Sequence, residues 1–384
     1  MPRVAEHSVV YRLPNQNILA VRHQESTDVS DSDIVIRMLS AGLCGTDLAM
    51  LSGNRTCRAQ VLGHEGVGVV LYAPAHGSVP QGARVIINPV HRNCPDIVIG
   101  HSRDGIFREL FCLDAAHAMD GDLLVRCPDD CPVADAELAL TEPLASALYS
   151  VELLREKCGN ASLLIRGSGT IGILAAKLWA TLTGESAIVL SKSEAHAQWL
   201  RESTRWPATV RVCCANELTA IGERSRDSGC RAAILCCSRQ DAPQGFRLLL
   251  DVVPEGATID LMAGFPADYR EARIGGVNLD GIRWRHSCGA STSPPTAVAD
   301  SVSGKTIYLM GHRGTAQRHI LQAVDLLSRR IISIADIPHR LISLGQLPAA
   351  VQQMVSTTRR QQTKFVKAIV DFSREDRGDP TSDC

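Results

Sequence analysis

The chain carries almost no net charge: 40 Lys and Arg residues stand against 41 Asp and Glu, leaving −1 over 384 residues. That balance gives no electrostatic case for nucleic acid or an anionic membrane, because both need a local excess of cations. Long apolar runs are also missing. The longest, such as 232–237 and 366–370, fall far short of the ~20 residues that a bilayer crossing needs. No apolar stretch follows Met1-Pro2-Arg3, so a secretory signal is not expected. The 14 cysteines are too sparse for a disulfide-stapled module and lack the close pairs of a zinc finger. The doublets Cys213-Cys214 and Cys236-Cys237 read as buried thiols, which suits a reducing, cytoplasmic setting. There is no internal repeat and no long low-complexity tract.

What is present divides by texture. The length suits two domains, since single cores usually stop growing at roughly 250–300 residues. Residues 1 to about 145 show short Val/Ile runs between Gly, Pro, Asn and Asp, at 33–39, 66–71, 84–88 and 107–113. That pattern predicts a barrel-like β domain. From 161 onward, apolar strand-like runs at 161–166, 187–190, 210–213, 232–237 and 257–262 alternate with helical stretches. An open parallel sheet with helical crossovers is the expectation. Further on, 317–327 predicts a helix with Ile320, Ala323, Val324 and Leu327 on one face. A second helix begins at Leu347-Pro348, residues 363–371 read as a closing strand, and 373–384 as a polar tail.

Gly167-Ser168-Gly169-Thr170-Ile171-Gly172 lies between a strand and a helix. Gly167 permits the tight turn, Gly169 lets a pyrophosphate approach the backbone, and Gly172 brings the helix close to the strand. The helix N-terminus, from Thr170 and Ile171, then faces the phosphates. The second strand ends in Ser191-Lys192-Ser193. A hydroxyl followed by a cation suits a 2′-phosphate better than a carboxylate does, so NADP(H) is favoured over NAD(H). Lys192 is also an ordinary surface residue, and Glu194 would serve a ribose if the strand ran further.

The first domain holds Gly42-Leu43-Cys44-Gly45-Thr46-Asp47 and Gly63-His64-Glu65-Gly66-Val67-Gly68, and Glu142 follows in Leu140-Thr141-Glu142-Pro143. Thiolate and imidazole are the ligands Zn2+ prefers, and a catalytic ion needs a third protein ligand and an open position. Taken singly, each residue has a plainer reading: Cys44 as a buried thiol, His64 as a turn residue, Glu142 as a carboxylate at a helix N-terminus. Taken together, the sequence resembles the medium-chain, zinc-dependent alcohol and polyol dehydrogenases over almost its whole length, in the sorbitol and threonine dehydrogenase-like branch. Cys44 matches that family's first zinc ligand, His64 its second and Glu142 its third. Glu65 matches the neighbour that exchanges with water at the metal. Thr46 matches the hydroxyl that passes the substrate proton, and Asp47 the carboxylate that orients the histidine. The segments Gly82-Ala83-Arg84-Val85 and Gly311-His312-Arg313-Gly314 resemble the turn after the zinc motif and the late loop near the nicotinamide.

The resemblance implies a GroES-like β-rich catalytic domain (1–147), a Rossmann doubly wound parallel-sheet domain (148–288), and a segment 289–384 that finishes the cofactor domain and returns to the catalytic one. It implies hydride transfer between NADP(H) and a secondary alcohol or ketone, on a polyol, sugar, amino sugar or aminocyclitol of specialised metabolism such as antibiotic biosynthesis. A homodimer or homotetramer is the implied assembly. Alternatives of the same fold are an enoyl or iminium reductase; a non-catalytic nucleotide sensor is a further one. Three departures stand out. The stretch 88–105 holds one cysteine, Cys94, so no structural zinc is expected beside the single catalytic ion, and Asp96, His101, Arg103 and Asp104 either line the cleft or are equally well solvated loop residues. Ala49 stands where several relatives carry a relay histidine. Residues 287–305, rich in Ser, Thr, Pro and Gly, read as an exposed loop, either a lid or an inert insertion. Arg103, His312 and Arg313 are the first candidates for contacts to substrate or nicotinamide phosphate.

Overall fold

A computed structural model describes residues 3–13, 19–75, 79–214, 217, 230–289, 294–355 and 364–374. The chain separates into two compact units, Met1–Glu142 with His339–Cys384, and Pro143–Pro338.

In the first unit, Asp33–Gly42 is the organising strand. Its near-continuous buried pattern marks it as central, and it pairs antiparallel with Glu65–Tyr72, with Leu110–Asp114 and with the late strand Lys367–Asp371. Arg84–Ile87 and Leu124–Arg126 extend the sheet on one side, and His339–Ile342 extends it on the other, parallel to Lys367–Asp371. A separate antiparallel pair, Arg3–Arg12 with Leu19–Asp28, precedes it. Val10, Ile34, Ile36, Val85, Phe107 and Ala368 fill one apolar core without measurable exposure. Burying that much aliphatic surface is what drives the last strand back onto the first unit.

The second unit is built on a seven-stranded sheet. Six strands are parallel and lie in the order Val210–Cys214, Ala187–Ser191, Leu163–Arg166, Ala232–Leu235, Thr258–Leu261, Thr306–Met310. Numbered by sequence, this is 3-2-1-4-5-6, the doubly wound order of dinucleotide-binding folds. Leu163–Arg166, Ala232–Leu235 and Thr258–Leu261 are buried at every position, as strands covered on both faces must be. The helix Thr170–Thr183 packs on Leu163–Arg166 and the neighbouring Ala187–Ser191 and buries Ile173, Leu174, Leu178 and Trp179, whose indole N–H donates to the Ala161 carbonyl at 3.1 Å. The predicted helix at 317–327 is Gln317–Ser328, with Ile320, Ala323, Val324 and Leu327 buried.

Two expectations need correction. Residues 287–305 are not a loop throughout: Thr296–Ala299 is a strand, antiparallel to Thr306–Met310 at the sheet edge. Val298 turns inward there while Ala297 and Ala299 stay exposed, an alternation too short to stand out among Ser and Pro; positions 290–293 lie outside the described residues. Cys213 and Cys214 are buried, but Cys236 and Cys237 are partly exposed, because they follow the end of their strand. The divisions between the two units fall at Glu142/Pro143 and Pro338/His339. Of the expected tail, residues beyond 374 lie outside the described ones.

Candidate metal and nucleotide sites

Where the central strand ends, Leu43 N still donates to the Ala368 carbonyl at 2.9 Å, and Cys44 then turns the chain into the short helix Gly45–Leu51. Cys44 and Asp47 cap that turn reciprocally: Thr46 N donates to Cys44 Sγ at 3.4 Å, and Cys44 N to Asp47 Oδ2 at 2.9 Å. Asp47 is fully buried. Its Oδ1 accepts from Gly63 N at 3.3 Å and lies 3.4 Å from His64 Nδ1, a long, charge-assisted approach. With Nδ1 facing that carboxylate, Nε2 is the nitrogen left for a metal.

Among the described residues, Cys44, His64 and Glu65 are the one set of three whose ligand atoms all lie within 4.8 Å of one another. Burial alone would push the Cys44 thiol up, but His64 and then Lys367 bring it down to about 7. Burial would likewise depress His64, yet Asp47 and Cys44 lift it well above the ordinary imidazole value. A thiolate, an imidazole and a carboxylate so close together form a donor set that fits Zn2+. Glu142, the other expected ligand, is the second residue of the helix Thr141–Cys158 and stands outside this set.

The sequence reading missed Lys367. Its ammonium ion-pairs with Glu65 Oε2, and both side chains are 2% exposed. Register explains the meeting: Gly42 lies opposite Glu65 on one side and Ile369 on the other, and Lys367 shares the face of Ile369. A Cβ at Gly42 would sit 2.7 Å from both Glu65 Oε2 and Lys367 Cε, so a side chain there would push the paired ends aside. Burial lowers Lys367 to about 8, against the opposing pull of Cys44 and Asp47. Its signal in the sequence was a lysine inside the strand-like run 365–370.

In the stretch without structural cysteines, His91 organises the chain. It is 1% exposed, and its Nδ1 accepts from Asn93 N at 3.2 Å and Cys94 N at 3.1 Å. Among the described residues there is no four-cysteine cluster. Of the candidates expected along the cleft, Asp96, Arg103 and Asp104 are exposed. His101 instead lies edge-on to His64, ring centroids 4.8 Å apart.

At the nucleotide fingerprint, Gly167 has φ +140°, and a Cβ on Gly172 would stand 2.0 Å from the Gly167 carbonyl oxygen. No side chain but hydrogen fits that approach of helix to turn. The space above Gly169, which caps the helix, is open. Beyond the next strand, Ser191 is buried and its hydroxyl accepts from Ser168 Oγ at 3.4 Å. Ser193 caps the helix Glu194–Ser203 by accepting from His196 N. Lys192 Nζ is 2.7 Å from Asp241 Oδ1, and Glu194 pairs with Arg201. The chain therefore brings a carboxylate as well as a cation to this strand end. Arg313 lies over the Trp284 ring at 3.9 Å, and its backbone bridges to His286 and Cys288.

His312, next to it, is buried among polar groups. Its ring is 4.6 Å from that of Tyr149, and Nδ1 is 3.9 Å from Asp260 Oδ2. Asp260, fully buried, accepts from the Ser150 hydroxyl, and burial raises it to about 6. Burial and then Arg283 hold His312 down at about 3.

Residues 30–122 match the model of the alcohol dehydrogenase GroES-like domain. Over this part the chain is similar to zinc-type alcohol dehydrogenases. An uncharacterized zinc-type alcohol dehydrogenase-like protein of Haemophilus influenzae is 32% identical over 182 residues, 43% of this chain and 51% of that protein. The D-xylulose reductase of Morganella morganii is 26% identical over 281 residues, 64% of this chain and 79% of the reductase. The chain thus spans about half the length of the first relative and about four-fifths of the second. A Sinorhizobium meliloti protein, named a zinc-binding dehydrogenase and solved with NADP, superposes with a TM-score of 0.70 at 19% identity, covering 95% of this chain and 99% of the other. The fold is thus shared almost throughout. No helix among the described residues is long and apolar enough to cross a membrane.

Proposed function

We propose that this chain is a zinc-dependent oxidoreductase that interconverts a secondary alcohol and a ketone on a polyhydroxylated substrate, using NADP(H). The convergence of Cys44, His64 and Glu65 within 4.8 Å carries the reading, and the Gly167–Gly172 turn on a dinucleotide-type sheet supports the cofactor. When bound, Zn2+ would supply a Lewis acid for the reacting oxygen, and the nicotinamide would supply or take the hydride. The chain's own residues do the rest. Cys44 and His64 hold the ion, and Asp47 fixes the imidazole tautomer. Thr46, two residues from a ligand, passes the substrate proton through its hydroxyl.

The carboxylate ligand is Glu65 or Glu142: proximity favours Glu65, the family resemblance favours Glu142. Zinc content of Glu65→Gln and Glu142→Gln separates them, since the true ligand's variant loses metal on dialysis and the other keeps it. Ser191 and Lys192 support the 2′-phosphate preference, while Asp241 beside Lys192 opposes it. The deciding experiment measures metal per chain, NADPH and NADH affinity, and turnover of polyols and keto-sugars on one preparation. Near one zinc, tighter NADPH binding and turnover support the proposal. A protein that stays metal-free after reconstitution refutes the alcohol–ketone chemistry and leaves the enoyl or iminium reductase, or a nucleotide sensor.

A further inference from the structure

Arg166 ends the strand Leu163–Arg166, one place before the glycine turn. In register it lies between Leu190 of one neighbouring strand and Leu235 of the other. It therefore stands at the carboxyl edge of the sheet where the strand order reverses, the place at which dinucleotides bind. A guanidinium is always charged, yet this one follows the buried residues Leu163, Leu164 and Ile165 and is itself only 6% exposed. Its Nη1 donates to the Leu190 carbonyl at 3.2 Å, and its Nε is buried without a partner. The same carbonyl accepts from Gly167 N at 3.3 Å, so the arginine is tied to the first residue of the turn. The helix Ala242–Val252 leaves room for its stem through Gly245, where a Cβ would stand 3.2 Å from Arg166 Cγ.

Among the described residues Arg166 joins no salt bridge, and the carboxylate its charge acts on is Asp241. Asp241 opens the helix Ala242–Val252 without capping it. Its Oδ1 accepts from Lys192 Nζ and its Oδ2 from the Ser238 hydroxyl, each at 2.7 Å. Burial would raise this carboxyl, but Lys192, Ser238 and Arg166 hold it below its ordinary value. Two cations thus share one anion at the end of the second strand, beside the hydroxyls of Ser168 and Ser191. The two differ in freedom: Lys192 is 70% exposed and can swing, whereas Arg166 is held in the interior. A buried charge is costly until an opposite one comes within reach. A phosphate monoester brings about two negative charges and three acceptor oxygens, enough for a guanidinium and an ammonium together. A ribose hydroxyl is neutral and has no use for the second cation.

We infer that Arg166 is a specificity-determining residue of the nucleotide site: with Lys192 it holds the adenosine 2′-phosphate of NADP(H), and Asp241 is the internal counter-ion whose place at Lys192 that phosphate takes. This rests on the proposed NADP(H) reading, and not on the alcohol–ketone chemistry. The test is calorimetry on the full chain with NADPH, NADH, 2′,5′-ADP and 5′-AMP, so no turnover enters it. Arg166→Gln keeps a donor for the Leu190 carbonyl. It is expected to weaken NADPH and 2′,5′-ADP about tenfold or more, the size of one charge-assisted hydrogen bond, and to leave NADH and 5′-AMP within about twofold. Arg166→Lys should retain part of the affinity. Asp241→Asn, which frees Lys192, should tighten both 2′-phosphorylated ligands. An equal loss for all four ligands would place Arg166 at the shared 5′-phosphate or in the fold alone and would overturn the inference, as would no change in any. If the natural chain binds NADH more tightly than NADPH, the cofactor reading fails, and 2′,5′-ADP against 5′-AMP decides on Arg166 by itself. A ratio that falls about tenfold in Arg166→Gln upholds its role; an unchanged ratio, or no binding of 2′,5′-ADP, refutes it.

Discussion

Two polar clusters in this molecule are equally buried and solve the cost of burial in opposite ways. In the first unit, Cys44, His64, Asp47, Glu65 and Lys367 lie together and their opposite charges offset burial: the thiol is brought down to about 7 and the imidazole is held well above its ordinary value. In the second, beside Ser150 and Tyr149, burial moves Asp260 and His312 toward their neutral forms: the acid is raised to about 6 and the imidazole lowered to about 3. Desolvation acts on both. What differs is whether a counter-charge lies within reach. A set of mutually paired charges is ready to exchange one cation for another, which is what metal capture needs.

Breaking the charge pairing gives the largest expected effect. Lys367→Met leaves Glu65 buried without its ammonium and should cost about 3–5 kcal/mol in urea unfolding. Adding Glu65→Gln should return much of that loss; if the double variant is no more stable than the single one, the compensated-charge account is wrong.

The second cluster is tested by pH. From 3.8 to about 6 the folded chain keeps the Asp260 proton that the unfolded chain has released. That contribution is complete below about pH 4 and is lost as pH rises through 6. His312 runs the other way: its folded value of about 3 lies below the ordinary 6.5, so its contribution is complete above pH 6.5 and fades as pH falls. Between pH 6 and 4 the two slopes cancel. Asp260→Asn removes one of them, and its stability should fall relative to the natural chain by up to about 3 kcal/mol over that span. Parallel stability curves would refute the assignment.

Smaller effects sharpen the contrast. Asp47→Asn keeps the shape but removes the charge behind His64, and zinc affinity should drop about 10–100-fold in competition with a chelator. Lys192→Ala, at an exposed pair with Asp241, should change stability by less than about 1 kcal/mol. Its nucleotide affinities are the informative readout: the NADPH-to-NADH preference should fall if Lys192 meets the 2′-phosphate, and an unchanged ratio removes that role.

Much of this was legible in the sequence because it depends on local spacing. The Gly167–Gly172 turn, the helix Gln317–Ser328 and the Cys44–Asp47 motif are each set within a few residues. Lys367 and Asp260 escaped notice for one shared reason. Each is a charged residue in a strand, Lys367–Asp371 or Thr258–Leu261, whose neighbours are buried, and its partner is supplied by register with a distant segment. A charged residue inside an apolar strand-like run is therefore the signal to pursue. The same limit applies to His101, which nothing local connects to His64, and to Thr296–Ala299, a strand that its partner makes.

Glu65 and Lys367 are 302 positions apart. At a synthesis rate of roughly 5–20 residues per second, a ribosome needs about 15 to 60 s to travel from one to the other. Throughout that interval Glu65 has no ammonium to face, and the edge of the strand Asp33–Gly42 along Ser40 to Gly42 waits for Asp371 to Ile369. The centre begun at Cys44 and Glu65 is finished only when translation has passed Lys367, with the whole second unit, Pro143–Pro338, made in between.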